Sequence, residues 1–411
     1  MFVNVVVIGG GPAGLAAAIK ANENGASVLL IEREAKLGGI LKQCIHDGFG
    51  VVRFGEKLSG PEYAQRFVEK LKDTTVKTTL FSFVTEIKKR TGGFEITYVC
   101  KDGVKSVECE KIIFATGCRE RTKNGIFIQG DRCSGVYTAG AAQNLVNCLG
   151  VLPGKRVVIL GSGDIGLIMA RRLTLEGAKV LGVFEAKPTP SGLTRNIHQC
   201  LNDFDIPLTL SATVTRVFGQ NRLEGVEISR VDEKMRPIAG TERIVECDTL
   251  VLAVGLIPEN ELARSLNVPM DARTKGAIVD QNCQTLVDGV YACGNALHVN
   301  DLVDYVSESG ETAGESASRA GTQRNLVQIS ANDRFLYVVP QRLDVASDKK
   351  AVVYFRSNQN LSNQKLTVKV KDKVVFEKRY AKLLPPEMEK ITVDFSSLDE
   401  VPSVELILED K

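Results

Sequence analysis

Val3-Asn4-Val5-Val6-Val7-Ile8 runs straight into Gly9-Gly10-Gly11-Pro12-Ala13-Gly14, and the chain repeats the arrangement 152 residues later, where Arg156-Val157-Val158-Ile159-Leu160 runs into Gly161-Ser162-Gly163-Asp164-Ile165-Gly166. Each stretch reads as a strand, a tight turn and the start of a helix. Glycines in such a turn let the backbone approach a pyrophosphate, and the helix start offers free N–H groups and the positive end of its dipole. An apolar strand ending in an acid follows each turn: Val28-Leu29-Leu30-Ile31-Glu32, and Val180-Leu181-Gly182-Val183-Phe184-Glu185. The acids stand 23 and 24 residues beyond the first glycine of their loops, close to the spacing at which a carboxylate meets an adenosine ribose. One such loop is weak evidence. Two complete units predict two dinucleotides on one protein.

Composition narrows the setting. The 411 residues predict two or three domains, and 44% hydrophobic with 25% charged residues is ordinary for a globular chain. A formal net charge of +2 without a polybasic run gives no reason to expect nucleic acid or an anionic membrane. Met1 leads almost directly into the first strand, and no apolar run is long enough for a membrane span, so a cytoplasmic location is expected. The ten cysteines form no C-x-x-C pair and no ligand cluster, which reads as reduced, mostly buried thiols and no metal centre.

All 37 glycines lie at or before Gly321, leaving a glycine-free tail of 90 residues. From about Asn332 the tail alternates apolar and polar residues in short runs such as Ala351-Val352-Val353-Tyr354-Phe355 and Leu366-Thr367-Val368-Lys369-Val370. That pattern predicts a small all-β sandwich, read as a separate docking or assembly module, with a stabilising cap as the alternative. Ahead of it, Lys111-Ile112-Ile113-Phe114-Ala115-Thr116-Gly117, Thr249-Leu250-Val251-Leu252-Ala253-Val254-Gly255 and Gly289-Val290-Tyr291-Ala292-Cys293-Gly294-Asn295 are three further strand-to-glycine turns.

The order of Gly9–Gly14, Glu32, Ala115-Thr116-Gly117, Gly161–Gly166, Ala253-Val254-Gly255 and Gly294-Asn295 resembles the two-dinucleotide flavoprotein superfamily, which includes the pyridine-nucleotide disulfide reductases. The resemblance spans residues 1 to about 325. It implies an α/β fold of two Rossmann-like three-layer domains, the NAD domain inserted in the FAD domain. The boundaries expected are 1–118 for the first part of the FAD domain, 119–152 for a connecting segment and 153–247 for the NAD(P) domain. Residues 248–325 would return to the FAD domain, and 332–411 would form the carboxy-terminal sandwich. FAD is implied on the first unit and NAD(P)H on the second, with NADH favoured because Glu185 would repel a 2′-phosphate. The implied cofactor contacts are Gly9, Gly11, Pro12, Ala13, Gly14, Glu32, Arg33, Gly39, Gln43, Ala115, Thr116, Gly117, Gly161, Gly163, Asp164, Ile165, Gly166, Glu185, Gly255, Gly294 and Asn295.

Disulfide reductases of this superfamily carry Gly-Gly-x-Cys-x4-Cys after the ribose acid. Here Gly38-Gly39-Ile40-Leu41-Lys42-Gln43-Cys44-Ile45-His46 puts Leu41 and His46 at the two cysteine positions, so no two-thiol relay is expected. Cys44 is the one candidate catalytic residue, for a thiol activated by Lys42 or His46. The stretch Gly38 to Gly50, with Arg53-Phe54-Gly55 and Leu58 to Tyr63, is similar to the small flavoprotein that accompanies anaerobic-type glycerol-3-phosphate dehydrogenases. Subunits of opine oxidases, dye-linked proline dehydrogenases and hydrogen cyanide synthase also resemble it. The expected function is an FAD-dependent NAD(P)H oxidoreductase acting as electron-transfer subunit of such an assembly, with dehydrogenase partner subunits and an oligomeric state. Two alternatives stay open: a stand-alone NADH oxidase or peroxidase using Cys44, and a non-catalytic dinucleotide-binding assembly subunit.

Overall fold

A computed structural model describes residues 1–321, 323–347, 349–398 and 400–410. They divide into two compact units, one formed by residues 1–118 together with the chain from Pro258 onward, the other by residues 119–257.

In the first unit, Phe2–Ile8 lies between Val28–Ile31 and Gly103–Phe114, parallel to both, and Lys77–Thr79 extends the sheet beyond Val28–Ile31. Val5, Val6 and Val7 are fully buried, as a parallel strand covered on both faces requires. The register decides where function can sit. Ile8 pairs with both Ile31 and Phe114, and Phe114 pairs with Ala292, so four parallel strands end side by side. Gly9, Glu32, Ala115 and Cys293 are the next residues of those strands, at the edge where α/β sheets bind ligands.

Helix Pro12–Glu23 packs on helix Val303–Ser318 through small residues. A Cβ on Gly310 would lie 2.2 Å from the Ala13 carbonyl oxygen, and one on Gly314 would lie 2.2 Å from that of Ala17. The two backbones therefore touch, which only glycine permits at these positions. Helix Gly60–Lys72 is capped by Ser59 and Glu62 in a reciprocal box and buries Tyr63, Phe67 and Leu71.

The second unit repeats the parallel arrangement in the order Leu208–Leu210, Lys179–Glu185, Arg156–Leu160, Thr249–Leu252, Val136–Thr138. Two expected boundaries change here. Segment 119–152 is not a mere connection, because Val136–Thr138 is a strand of this sheet and Ala139–Asn147 a helix beside it. Thr249–Leu252 pairs with Val157–Leu160 and so belongs to the second unit, placing the return near Pro258 rather than 248. An apolar run shows that a strand exists, but only pairing shows which sheet takes it.

The tail forms a five-stranded and a three-stranded sheet among the described residues, mostly antiparallel, around Phe335, Phe355, Phe395 and Leu366. It begins earlier than expected, at Leu326–Ala331, a strand whose polar alternation hid it. Nor is it separate. Tyr337 and Val339 are buried in the core of the first unit, Lys390 pairs with Glu308, and Gln281 bonds the Asp344 backbone through both its amide nitrogen and oxygen. No helix among the described residues is long and apolar enough to cross a membrane.

Candidate functional site

At the first glycine loop, Gly9 has φ +106°, and a Cβ there would sit 2.4 Å from the Ala115 carbonyl oxygen. A Cβ on Gly14 would lie 1.7 Å from the Gly9 carbonyl, so the turn closes tightly against the helix. Gly39 meets Gly11 so closely that a Cβ would come within 2.9 Å of its Cα, and one on Gly294 would come within 2.7 Å of the Ala13 Cβ. The fold thus gathers Gly9, Gly11, Pro12, Ala13, Gly14, Gly39, Ala115 and Gly294 from four distant stretches around one helix start. Thr116 and Gly117 are tied in by bonds to Glu259: the Thr116 hydroxyl donates to its carbonyl at 2.6 Å, and its N–H donates to the Gly117 carbonyl at 2.9 Å.

Glu32, only 6% exposed, accepts the Gly10 N–H at 2.7 Å and the Glu34 N–H at 2.7 Å, one on each oxygen. A carboxylate offers about four acceptor sites, so capacity is left for a ribose diol. Arg33 is exposed beside it, and Gln43 is buried. The second loop copies this design. Glu185 accepts from Ser162 N at 3.0 Å, the Ser162 hydroxyl at 2.7 Å and Lys187 N at 3.0 Å. A Cβ on Gly161 would lie 2.2 Å from the Ala253 carbonyl, and one on Gly166 would lie 2.4 Å from that of Gly161. Gly163 caps the helix that Asp164 begins, Ile165 is partly exposed on it, and Gly255 follows the neighbouring strand with φ +101°. The Asp164 carboxylate accepts from Leu193 N at 2.9 Å and Asn196 Nδ2 at 2.7 Å, which folds the segment after Glu185 back onto the loop.

Sequence reasoning missed several residues here. Asp304 accepts the N–H groups of Gly50 (3.3 Å) and Arg53 (2.7 Å), and the Tyr63 hydroxyl donates to Ser307 at 2.9 Å. These bonds pin the segment after Gly39 onto helix Val303–Ser318. The Asn295 Oδ1 accepts from Asn300 N at 3.0 Å and Asn300 Nδ2 at 3.3 Å, while its Nδ2 faces the Cys118 sulfur at 3.6 Å. Asn260 Nδ2 donates to the Ala296 carbonyl at 2.8 Å. The Oδ1 atoms of Asn260 and Asn300 and the Nδ1 of His298 have no hydrogen-bond partner among the described residues. Buried acceptors rarely stay unpaired, so two asparagine oxygens beside the Gly294-Asn295 turn suit a ligand bearing hydroxyl or imide donors. FAD has both, and the glycine cradle with its ribose-accepting Glu32 suits its other end. The residues therefore fit that cofactor.

Cys44 is 7% exposed, its sulfur donating to the Ile40 carbonyl at 3.4 Å, and a Cβ on Gly60 would lie 2.8 Å from its own Cβ. The Lys42 ammonium donates to the Lys36 carbonyl, and His46 Nδ1 lies 3.2 Å from the Asp47 carbonyl with its ring against Phe49. This is the setting of a packed thiol, since reactive cysteines sit partly exposed in electropositive surroundings. Burial also pushes the Cys293 thiol up to about 12.

The family model for pyridine nucleotide-disulphide oxidoreductases matches residues 3–323. Hydrogen cyanide synthase subunit HcnB of Pseudomonas protegens is 29% identical over 292 residues, 65% of this chain and 60% of that protein. An opine oxidase subunit of Agrobacterium tumefaciens is 24% identical, over 78% of this chain and 65% of its own. The chain thus matches less than two thirds of either relative's length. Thioredoxin reductase of T. acidophilum superposes on 77% of this chain and 98% of its own, with TM-score 0.63 and 25% identity. Two loop-and-acid units, the convergence of Gly294-Asn295 on the first of them and the match across both lead to one conclusion: this chain belongs to the pyridine nucleotide-disulphide oxidoreductase family, whose members are oxidoreductases that bind FAD and NAD(P).

Proposed function

We propose that the protein is an FAD-dependent NADH oxidoreductase serving as the electron-transfer subunit of a larger dehydrogenase, one that acts on glycerol 3-phosphate or a similar small substrate in the cytoplasm. The observation that carries the reading is the matched pair of carboxylates, Glu32 bonded to Gly10 N and Glu185 bonded to Ser162 N, each beside its own glycine cradle. Two such sites call for two dinucleotides. FAD, when bound, supplies the ability to accept hydride from a nicotinamide. The chain's own residues would contribute placement: the first helix start would hold a pyrophosphate, Glu32 a ribose, and Asn260, Asn295 and Asn300 hydroxyl or imide donors of the cofactor. Glu185 supports NADH over NADPH, because its carboxylate suits a ribose diol and repels a 2′-phosphate. The absence of cysteine at positions 41 and 46, with Cys44 buried, supports electron delivery to a partner protein rather than to a disulfide. The relatives named as enzyme subunits support the same role, and the edge strands of the carboxy-terminal sheets offer a surface for the partner or for a second copy.

Purification followed by denaturation and chromatography tests the cofactor: intact FAD is expected, and FMN or no flavin after reconstitution overturns it. Anaerobic titration then tests the function. NADH should bleach the flavin, with an artificial dye restoring its colour faster than oxygen or peroxide does. Rapid turnover with peroxide alone would reject the electron-transfer role.

A further inference from the structure

The family match ends at residue 323, yet a residue well beyond it reaches back to the loop that follows the Gly294-Asn295 turn of the first site. Arg356 lies on strand Lys350–Ser357 of the three-stranded carboxy-terminal sheet. Its side chain is only 12% exposed. Its Nε donates to the Tyr337 hydroxyl at 2.9 Å, its Nη1 to the Pro385 carbonyl at 3.3 Å and to that of Pro386, and its Nη2 pairs with the Asp301 carboxylate. The second Asp301 oxygen accepts the Met388 N–H at 2.6 Å. Both oxygens of Asp301 are therefore held by the tail.

Asp301 adjoins Asn300, whose backbone and side-chain nitrogens both donate to Asn295 Oδ1 and whose Nδ2 also donates to the His298 carbonyl at 2.9 Å. Those bonds orient the Asn295 carboxamide, and they leave Asn300 Oδ1 without a partner. Loop 295–301 is thus clamped at its far end by charged hydrogen bonds from the carboxy-terminal sheets, which are stronger and more directional than neutral ones. An arginine serves this better than a lysine because its planar fork meets four acceptor groups at once.

We infer that Arg356 is a positioning residue for FAD: by holding Asp301 it sets the Asn295 and Asn300 carboxamides that face the flavin side of the site. The inference rests on the cofactor reading above and gives the tail a role in the site itself, besides any docking. Removing the clamp frees the loop, so flavin binding must then order it, and affinity falls by the population of the competent loop.

The test uses the full-length protein, stripped of flavin and titrated with FAD by fluorescence quenching, with visible spectra and thermal unfolding recorded for each variant. Arg356→Ala should weaken FAD binding about tenfold, one lost charged hydrogen bond, and shift the flavin absorption bands. Arg356→Lys should recover part of the loss. Glu308→Gln removes the charge that pairs with Lys390, keeps an acceptor for the Tyr354 hydroxyl and leaves the Arg356–Asp301 and Asn300–Asn295 bonds intact; it should lower thermal stability and leave FAD affinity within about twofold. If Arg356→Ala does not fold, Asp301→Asn, which keeps an acceptor for Met388 N, carries the same expectation. Unchanged affinity and spectrum in the Arg356 and Asp301 variants overturn the inference, as does an equal loss in Glu308→Gln. Wild-type protein that takes up no FAD overturns the cofactor reading first, a result distinct from either of these.

Discussion

Gly310→Ala should destabilise the first unit even though alanine is the better helix former. In an isolated helix the change stabilises by about 1 kcal/mol. Here the new Cβ would lie 2.2 Å from the Ala13 carbonyl oxygen and 2.9 Å from its carbon, where ordinary contact begins at 3.4 Å. A backbone carbonyl cannot rotate away as a side chain can. Helices Pro12–Glu23 and Val303–Ser318 must therefore part by roughly 1 Å, which also loosens the equally close Gly314–Ala17 contact. Overpacking of this kind costs about 3 kcal/mol at the upper end of its usual range, leaving a net loss of about 2 kcal/mol. At roughly 2–4 °C per kcal/mol for a unit of this size, the thermal midpoint should fall by about 4–8 °C. Because Ala13 opens the helix at the first glycine loop, FAD affinity should fall with it. Circular dichroism melts of wild type and variant at equal flavin content make the comparison fair. Gly125→Ala, whose Cβ meets only the Thr122 hydroxyl at 3.7 Å, serves as control and should stay within about 0.5 kcal/mol. A Gly310→Ala variant as stable as wild type would show that the helices have room, and the packing argument would fail.

Glu185→Arg should lower the efficiency of flavin reduction by NADH about tenfold and raise that by NADPH, measured by stopped-flow; faster reduction of the wild type by NADPH would reject the reading of the second site. Cys44→Ser should keep flavin content, reduction by NADH and dye reduction, at a stability cost of about 1 kcal/mol; loss of turnover with FAD retained would restore a thiol mechanism. His298 is 2% exposed, and burial, helped by the nearby Arg356 charge, depresses its pKa to about 3 from an ordinary 6.5. Its neutral form is the one folded, so its contribution is intact above 6.5. Below that the unfolded state takes up the proton and stability falls by about 1.4 kcal/mol per pH unit until about 3. His298→Gln should flatten that part of the stability profile; equal slopes for wild type and variant between pH 6 and 4 would refute the assignment.

Local chemistry alone determined the two nucleotide units. A continuous valine and isoleucine run, glycines at fixed offsets and an acid at the end of the next strand are consequences of short-range sterics and burial, so Gly9, Gly14, Glu32, Gly161 and Glu185 could be named before any fold was seen. The same holds for the missing thiol pair at positions 41 and 46 and for the β character of the glycine-free tail. Tertiary structure decided what depends on pairing across long stretches of chain. Thr249–Leu252 reads like Lys111–Phe114, yet it completes the second sheet because Arg156–Leu160, rather than Phe2–Ile8, offers it a free edge. Asp304, Asn260, Asn300 and Arg356 carry no local signature, since a carboxamide or guanidinium acquires its meaning from the partner that folding brings to it. The tail looked separable because its alternation is self-contained; Tyr337 and Val339 entered the first core, and Arg356 reached Asp301, only through burial that no spacing rule records.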